Sequence, residues 1–150
     1  MKIAIGSDHI AYDLKETIKK YVEELNHEVI DYGCYNCTEV DYPDVAFEVA
    51  EDINDNKADR GILICGTGIG VAISACKVPG IRAALCHDAY SAERAQLSNN
   101  AQIMTMGAQV IGAEHAKKIV QTYLSVEFQG GNSERKVNKI SEKEKEFMKK

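Results

Sequence analysis

The sequence predicts an α/β protein with a doubly wound, five-stranded parallel sheet. Short β-rich apolar runs alternate with helical patterns along the whole chain, which is the arrangement of consecutive βαβ units. The predicted strands are residues 2–5, 28–31, 61–65, 82–86 and 103–106. Ligands of such sheets bind outside the carboxyl ends of the strands, so we expect the functional site at that edge.

The stretches between the strands carry apolar residues at helical spacing. One stripe runs from Leu14 to Leu25, a second covers residues 45–53 and a third covers residues 116–124. Residues 71–76 are apolar on nearly every side. We therefore expect the helix after the third strand to lie deep in the structure.

Length and composition narrow the class of protein. The 150 residues fit one domain, 1–150, and a hydrophobic content of 45% is enough for a core of that size. The net charge of −5 argues against nucleic acid or an anionic membrane as the main partner. No apolar run approaches the roughly 20 residues of a membrane span and no signal peptide is visible, so we expect a cytoplasmic protein.

Residues 132–150 differ in character from the rest of the chain. They are highly charged, and only a thin apolar stripe remains at near-helical spacing. The stripe consists of Val137, Ile140, Phe147 and Met148. Such a segment is either a loosely docked surface helix or a C-terminal helical arm that contacts a second subunit.

The loop after the third predicted strand, residues 65–70, is the most informative motif. Its three alternate glycines leave backbone N–H groups bare at a helix N-terminus, an arrangement that binds oxyanions or phosphates. It is not a P-loop, because no Gly-Lys-Ser/Thr follows, and Val71 stands where a dinucleotide fingerprint has its last glycine. The alternative is that the glycines only allow close packing of strand and helix.

Cys65 stands at the mouth of this loop. The helix N-terminus and the N–H groups would favour a thiolate, which is a usable base near neutral pH. The alternative is a small core residue, and this is the interpretation we adopt for Cys76 and Cys86.

Asp8 and His9 follow the first predicted strand and supply a carboxylate and an imidazole at the same edge. These groups suit proton transfer between substrate oxygens, whereas the alternative is a helix cap beside a surface histidine. For His87 and Asp88, after the fourth strand, we favour the cap.

Cys34 and Cys37 flank a turn after the second predicted strand. The spacing is compatible with redox chemistry or zinc, but a zinc site needs further ligands at defined spacing. We predict a structural turn, free thiols and no metal.

The run from Gly61 to Gly70 closely resembles the type B ribose-5-phosphate isomerases and the related galactose-6-phosphate isomerase subunits. Four further stretches continue the resemblance in the right order, so it covers essentially the whole chain. They are Gly6-Ser7-Asp8-His9, Asp41-Tyr42-Pro43, residues 77–82 and Phe128-Gln129-Gly130-Gly131.

The resemblance implies a Rossmann-like αβα sandwich, a sugar phosphate as substrate, no cofactor, and a homodimer or dimer of dimers with shared active sites. It implies that Cys65 is the base that moves a proton between C1 and C2. An aldose–ketose isomerase needs one such base and an anion hole for the enediolate, which agrees with the chemistry inferred from the residues.

The resemblance also assigns substrate contacts. Asp8, Thr67 and Asn99 would contact sugar hydroxyls, Tyr42 would line the pocket, and His9 would face the phosphate. The residues implied to hold the enediolate through their N–H groups are Gly66, Thr67, Gly68, Ile69 and Gly70.

Three positions depart from the family pattern. Ser98 stands at the catalytic position where ribose-5-phosphate isomerases often carry a histidine for ring opening. Gln109 and Asn132 stand where they carry phosphate-binding arginines, although Arg135 and Lys136 keep positive charge close by. These departures bear on ring opening, phosphate binding and the identity of the sugar.

The leading hypothesis is therefore an isomerase of ribose 5-phosphate and ribulose 5-phosphate. The nearest alternatives keep the chemistry and change the sugar to galactose 6-phosphate, allose 6-phosphate or an unphosphorylated aldose. A non-enzymatic phosphate sensor would use the same glycine loop, and a flavodoxin-like redox protein would use Cys34 and Cys37.

Overall fold

The computed structural model describes residues 1–36 and 38–150, and its architecture confirms the predicted α/β class. The strands are β1 (Lys2–Ser7), β2 (Glu28–Asp31), β3 (Arg60–Cys65), β4 (Ala83–Leu85) and β5 (Ile103–Gly107). The helices are α1 (Tyr12–Glu24), α2 (Tyr42–Asn54), α3 (Ile69–Cys76), α4 (Ala89–Leu97), α5 (Ala113–Leu124) and α6 (Asn132–Met148). Each predicted strand is present, with ends that differ by two residues at most.

All pairings in the five-stranded sheet are parallel, and the strand order is β2-β1-β3-β5-β4. The edge strand β4 is shorter than predicted. At its amino end the Arg82 N–H donates to the side chain of Gln102, at 2.8 Å to Oε1, and not to a backbone carbonyl of β5. The central strand β3 is buried along its whole length, as its continuous apolar run indicates.

Alternate residues of the strands feed two separate cores. Ile62 and Ile64 of β3 join the core under α1, α4 and α5, whereas Leu63 and Cys65 join the core under α2 and α3. The period of two along a strand sends neighbouring side chains to opposite faces, which gives three layers. The predicted αβα sandwich is therefore confirmed.

The expectation for α3 was wrong. Val71 and Ala75 are fully buried, but Ile69 and Ile73 on the other side are 51% and 57% exposed. Cys76 is also exposed, which corrects its assignment to the core, whereas Cys86 is buried as predicted. The sheet and α2 cover one side of α3, and its other apolar side continues onto the exposed edge strand β4 at Leu85. We call the surface formed by Ile69, Ile73, Cys76 and Leu85 the α3–β4 surface.

The C-terminal segment forms the predicted helix, α6. Val137 is buried, and the carboxylate of Glu144 accepts a hydrogen bond from the Gly80 N–H at 2.9 Å. The remaining apolar residues of the stripe, Ile140, Phe147 and Met148, are more than half exposed. Within the described residues, no helix combines the length and the apolar character needed to cross a membrane.

A buried lysine holds the carboxyl end of β2 to α1. Nζ of Lys15, which is fully buried, donates to both carboxylate oxygens of Asp31 at 2.9 and 3.0 Å and to the Cys34 carbonyl at 2.7 Å. Burial alone would raise the pKa of Asp31, but hydrogen bonds from Lys15, the Gly33 N–H and Lys19 outweigh it and leave that pKa lowered.

We expect Lys15→Met to lower the free energy of unfolding by about 3 kcal/mol, because it leaves the Asp31 carboxylate half-buried without its main partner. Lys19→Met is the matched control: Lys19 binds the same carboxylate from a partly exposed position, and its loss should change stability by less than about 1 kcal/mol. Urea unfolding measures both. The stabilisation by Asp31 is complete above about pH 4 and is lost as the pH falls through its lowered pKa, so the effect of Lys15→Met should shrink in acid. Equal effects of the two variants would contradict this account.

Candidate active site

The sheet opens a crevice between the carboxyl ends of β1 and β3. The helix after β1 covers one face of the sheet and the helix after β3 covers the other, so the chain diverges at this point. A cleft of about 460 Å³ lies here. It is lined by Asp8, Ile10, Tyr42, Cys65, Gly66, Thr67, Ile69, Gly70, Ile73 and Gln109.

The thiol of Cys65 lies at the N-terminus of α3. Its Sγ accepts a hydrogen bond from the Gly68 N–H at 3.1 Å, and Gly68 has a φ of 79°, a left-handed conformation that favours glycine. Cys65 is 4% exposed and packs in the core under α2 and α3, yet it also lines the cleft. The two interpretations of Cys65 from the sequence are thus compatible.

The glycine loop is held from behind by the segment that follows β5. The N–H groups of Ala108 and Gln109 donate to the carbonyls of Cys65 and Gly66 at 2.9 and 3.0 Å. Gly107 packs directly on the loop, because a Cβ at this position would lie 2.6 Å from the backbone of Thr67. The loop is therefore fixed before any ligand binds, as an anion hole requires.

Asp8 both caps a turn and lines the cleft, so its two interpretations from the sequence are compatible. Its Oδ1 accepts a hydrogen bond from the Ala11 N–H at 3.2 Å, which caps the turn before α1, and its buried side chain also lines the cleft. Its carbonyl accepts hydrogen bonds from the Ser7 hydroxyl and the Cys34 thiol, both at 3.0 Å. These bonds fix Asp8 relative to β1.

His9 lies next to Asp8 but is not part of the cleft lining. Its Nδ1 accepts a hydrogen bond from the Val40 N–H at 3.2 Å. This bond assigns the proton of the neutral ring to Nε2, which is then a donor.

Tyr42 and Gln109 form two walls of the cleft. The Tyr42 ring lies so close to Gly70 that any Cβ at that position would overlap it. Oε1 of Gln109 lies over Gly66, 2.9 Å from where a Cβ would stand. Ile10 and Ile73, which sequence reasoning missed, complete the walls. Ile10 follows no apolar pattern, and Ile73 belongs to the apolar segment 71–76, which predicted burial and not a place in the cleft.

The structure does not bring the remaining predicted site residues to this cleft. Ser98 ends α4, shortly before β5 begins, and its hydroxyl accepts hydrogen bonds from the Arg94 guanidinium, one at 2.8 Å. It therefore lies, with Asn99, at the amino edge of the sheet. The strands between the two edges span roughly 20 Å.

The start of α6 lies at the amino edge as well. The Gln129 N–H donates to the Leu97 carbonyl at the end of α4, and Glu144 further along α6 binds Gly80 before β4. We call the predicted site residues at this edge the amino-edge group. They are Ser98, Asn99, Asn132, Arg135 and Lys136.

The other candidate groups are resolved in part. Asp88 caps α4 as favoured from the sequence, with Oδ1 accepting from the Ser91 N–H at 2.6 Å, and this bond lowers the pKa of Asp88. Burial raises the pKa of the Cys86 thiol to about 12.

Cys34 is a buried free thiol, whereas Cys37 lies outside the described residues, so the predicted turn between them stays a prediction. Residues 1–36 and 38–150 contain no group of three or more His, Cys, Asp or Glu placed to hold a metal.

The fold and the cleft are those of an α/β protein suited to proton transfer beside an anion. The comparison with known families agrees, because the model of the ribose/galactose isomerase family matches residues 3–140. The chain belongs to this family, which is a family of aldose–ketose isomerases.

The similarity to known proteins extends over nearly the whole chain. A protein of Listeria innocua called ribose-5-P isomerase B is 52% identical over 95% of this chain and 96% of its own. A D-erythrulose-4-phosphate isomerase of Pectobacterium atrosepticum is 54% identical over 93% of each chain. The solved structure of Clostridium thermocellum ribose-5-phosphate isomerase B has a TM-score of 0.96 and 48% identity, covering 98% of this chain and 99% of its own.

Proposed function

We propose that the protein interconverts ribose 5-phosphate and ribulose 5-phosphate through an enediolate, with Cys65 as the base. The observation that carries the proposal is the position of the Cys65 thiol, which lies in the cleft at the N-terminus of α3 and accepts the Gly68 N–H. A hydrogen-bond donor aimed at the sulfur stabilises a thiolate more than a thiol.

The proposed reaction begins from the open-chain aldose. The Cys65 thiolate takes the proton from C2, the C–H electron pair forms the C1–C2 double bond, and the carbonyl electron pair moves to O1. The N–H groups of the loop 66–70 stabilise this charge. The thiol then returns the proton to C1 while the O2 proton moves to O1, which gives the ketose and restores the thiolate.

The proton transfer between O1 and O2 is assigned to Asp8 and Thr67. The Thr67 hydroxyl accepts a hydrogen bond from the Ile69 N–H at 3.2 Å, so its own proton is free to donate to a sugar oxygen. The Asp8 carboxylate also lines the cleft and supplies the acceptor. Tyr42 lines the sugar, and the Nε2–H of His9 suits an anionic substrate end.

We further propose that the active site is completed by a second copy of the chain. The amino-edge group lies at the opposite edge of the sheet from Cys65, so its residues reach a substrate only in another subunit's cleft. The α3–β4 surface supports an interface next to the cleft, because Ile73 lines both the cleft and the groove between α3 and β4. An apolar surface of this kind, left open in one chain, is typical of subunit contacts.

A second candidate substrate is a shorter sugar phosphate, as the name of the Pectobacterium relative suggests. An aldotetrose 4-phosphate cannot close a furanose ring, because the hydroxyl needed for closure is esterified. Its isomerisation needs no ring-opening group, which fits the engagement of the Ser98 hydroxyl by Arg94. Galactose 6-phosphate, allose 6-phosphate and unphosphorylated aldoses are the further alternative substrates.

The direct test is ketose formation from matched substrates: ribose 5-phosphate, erythrose 4-phosphate, allose 6-phosphate, galactose 6-phosphate and free ribose. The proposal expects the highest kcat/KM with ribose 5-phosphate. A higher value with the tetrose phosphate would select the second candidate, and no turnover of any aldose would overturn the isomerase mechanism.

The neutral residues Gln109 and Asn132 should make phosphate binding weak. We expect Gln109→Arg with Asn132→Arg to lower KM for ribose 5-phosphate by roughly tenfold or more, because each charge-assisted bond adds about 1.5–3 kcal/mol. The kcat should change little if these contacts act equally on ground and transition states.

Two controls isolate the phosphate contact in this experiment. KM for free ribose should not respond to the added arginines, and Gln121→Arg, at an exposed position on α5, should leave both KM values unchanged. An unchanged KM for ribose 5-phosphate in the double variant would show that the cleft is shaped for a different substrate end.

A further inference from the structure

The imidazole of His87 extends the β4–β5 ladder beyond the end of β4. The last paired residues of these strands are Leu85 and Thr105, and the Cys86 N–H still donates to the Thr105 carbonyl at 2.9 Å. The next N–H of β5 on this side, that of buried Gly107, has no strand beside it. Nε2 of His87 accepts this N–H at 2.9 Å and takes the place of a backbone carbonyl.

Gly107 connects His87 to the glycine loop. Its backbone packs against Thr67, and the two residues after it donate to the carbonyls of Cys65 and Gly66. His87 itself is not part of the cleft lining. A shift of Gly107 would therefore be passed to the N–H groups of the loop, although His87 touches no substrate.

We propose that His87 is a positioning residue for the isomerisation, which fixes the glycine loop through its hydrogen bond to the Gly107 N–H. This inference rests on the proposed function of that loop as the anion hole for the enediolate. The bond exists only while Nε2 is unprotonated, so the brace is lost when the ring becomes an imidazolium.

The surroundings of the ring keep it neutral at physiological pH. Burial lowers the pKa of His87, His115 on α5 lowers it further, and Asp88 on the same loop opposes them. These are the titratable groups that act on the ring within the described part of the chain. The brace is thus complete above about pH 6.5 and is lost as the pH falls through the lowered pKa.

Two variants separate the hydrogen bond from the volume of the ring. His87→Gln places an amide oxygen near the position of Nε2 and does not titrate, whereas His87→Phe keeps a ring without an acceptor. We expect His87→Phe to lower kcat by roughly ten- to a hundredfold with KM within a few-fold, because a misplaced anion hole acts on the transition state. His87→Gln should stay within a few-fold of wild type.

The pH profile gives a further readout. Wild-type kcat should fall more steeply in acid than the kcat of His87→Gln, because the variant lacks the imidazole whose protonation breaks the hydrogen bond to Gly107. His115→Gln removes one of the groups that lower the pKa of His87, so its acid limb should move to slightly higher pH while kcat at neutral pH stays at the wild-type value. A kcat of His87→Phe equal to wild type, or a His87→Gln variant as impaired as His87→Phe, would overturn the proposal.

Hydrogen exchange tests the brace independently of turnover. At neutral pH the Gly107 and Gly68 N–H groups should exchange faster in His87→Phe than in wild type and His87→Gln. If the wild-type protein isomerises no sugar phosphate but this pattern holds, the proposed function fails while the brace stands. Unchanged exchange in His87→Phe would disprove the brace, whatever the activity.

Discussion

Cys65→Ala should nearly abolish isomerisation, with kcat lower by roughly a hundred- to ten-thousandfold, while the fold persists. The thiol is the only group in the cleft proposed to take a proton from carbon, and general-base catalysis contributes on the order of 10²–10⁴ in rate. The anion hole is made of backbone N–H groups and remains in the variant, so substrate should still bind. Ketose formation and the KM of residual activity measure the two effects separately.

Cys76→Ala is the matched control for this experiment. Cys76 is another free thiol and ends the helix at whose N-terminus Cys65 lies, but it is exposed at the far end of α3 and absent from the cleft lining. Cys76→Ala removes only one sulfur atom from the α3–β4 surface, so kcat should stay within a few-fold of wild type. If Cys65→Ala kept activity within a few-fold of wild type, the base would have to be sought elsewhere, with Asp8 as the first candidate.

The sequence predicted the fold and half of the site because both depend on local patterns. Apolar runs and helical stripes define the strands and helices, and parallel strands bring their carboxyl ends to one edge. Asp8 follows β1 directly and Cys65 is the last residue of β3, so their meeting in one cleft follows from topology alone.

The predictions from the sequence failed where the outcome depends on which part of the chain packs against a given helix or side chain. An apolar segment predicts burial, but α3 is covered on one side only within the chain, which leaves Ile73 and Cys76 exposed. No residue pattern predicts the contact of His87 with Gly107, because the partner is a backbone N–H and a backbone group leaves no mark in a sequence. The position of Asn132, Arg135 and Lys136 depends on the path of the chain from α5 to α6, which residue patterns do not encode.

The proposal that two subunits share each active site leads to a complementation experiment. Cys65→Ala removes the base at the carboxyl edge, and Arg135→Glu with Lys136→Glu would repel the phosphate from the amino edge, so each variant alone should be nearly inactive. In a mixed dimer, the Cys65→Ala chain supplies its intact Arg135 and Lys136 to the cleft of the charge-reversed chain. When equal amounts of the two variants reassort at random, about half of all dimers are mixed. Each mixed dimer has one intact active site of two, so we expect about a quarter of wild-type activity.

The matched control combines two variants altered in the same cleft. Asp8→Asn with Cys65→Ala should not recover activity in mixed dimers, because each cleft lacks either the carboxylate or the thiol. Recovery in the first mixture and none in the control requires that Cys65 and the Arg135–Lys136 pair of different chains act on one substrate. If the first mixture showed only the summed activity of its parents, although co-purification of differently tagged chains proved that mixed dimers had formed, the amino-edge group would have no part in the active site. Phosphate binding would then have to be assigned to His9 and Gln109 within one chain.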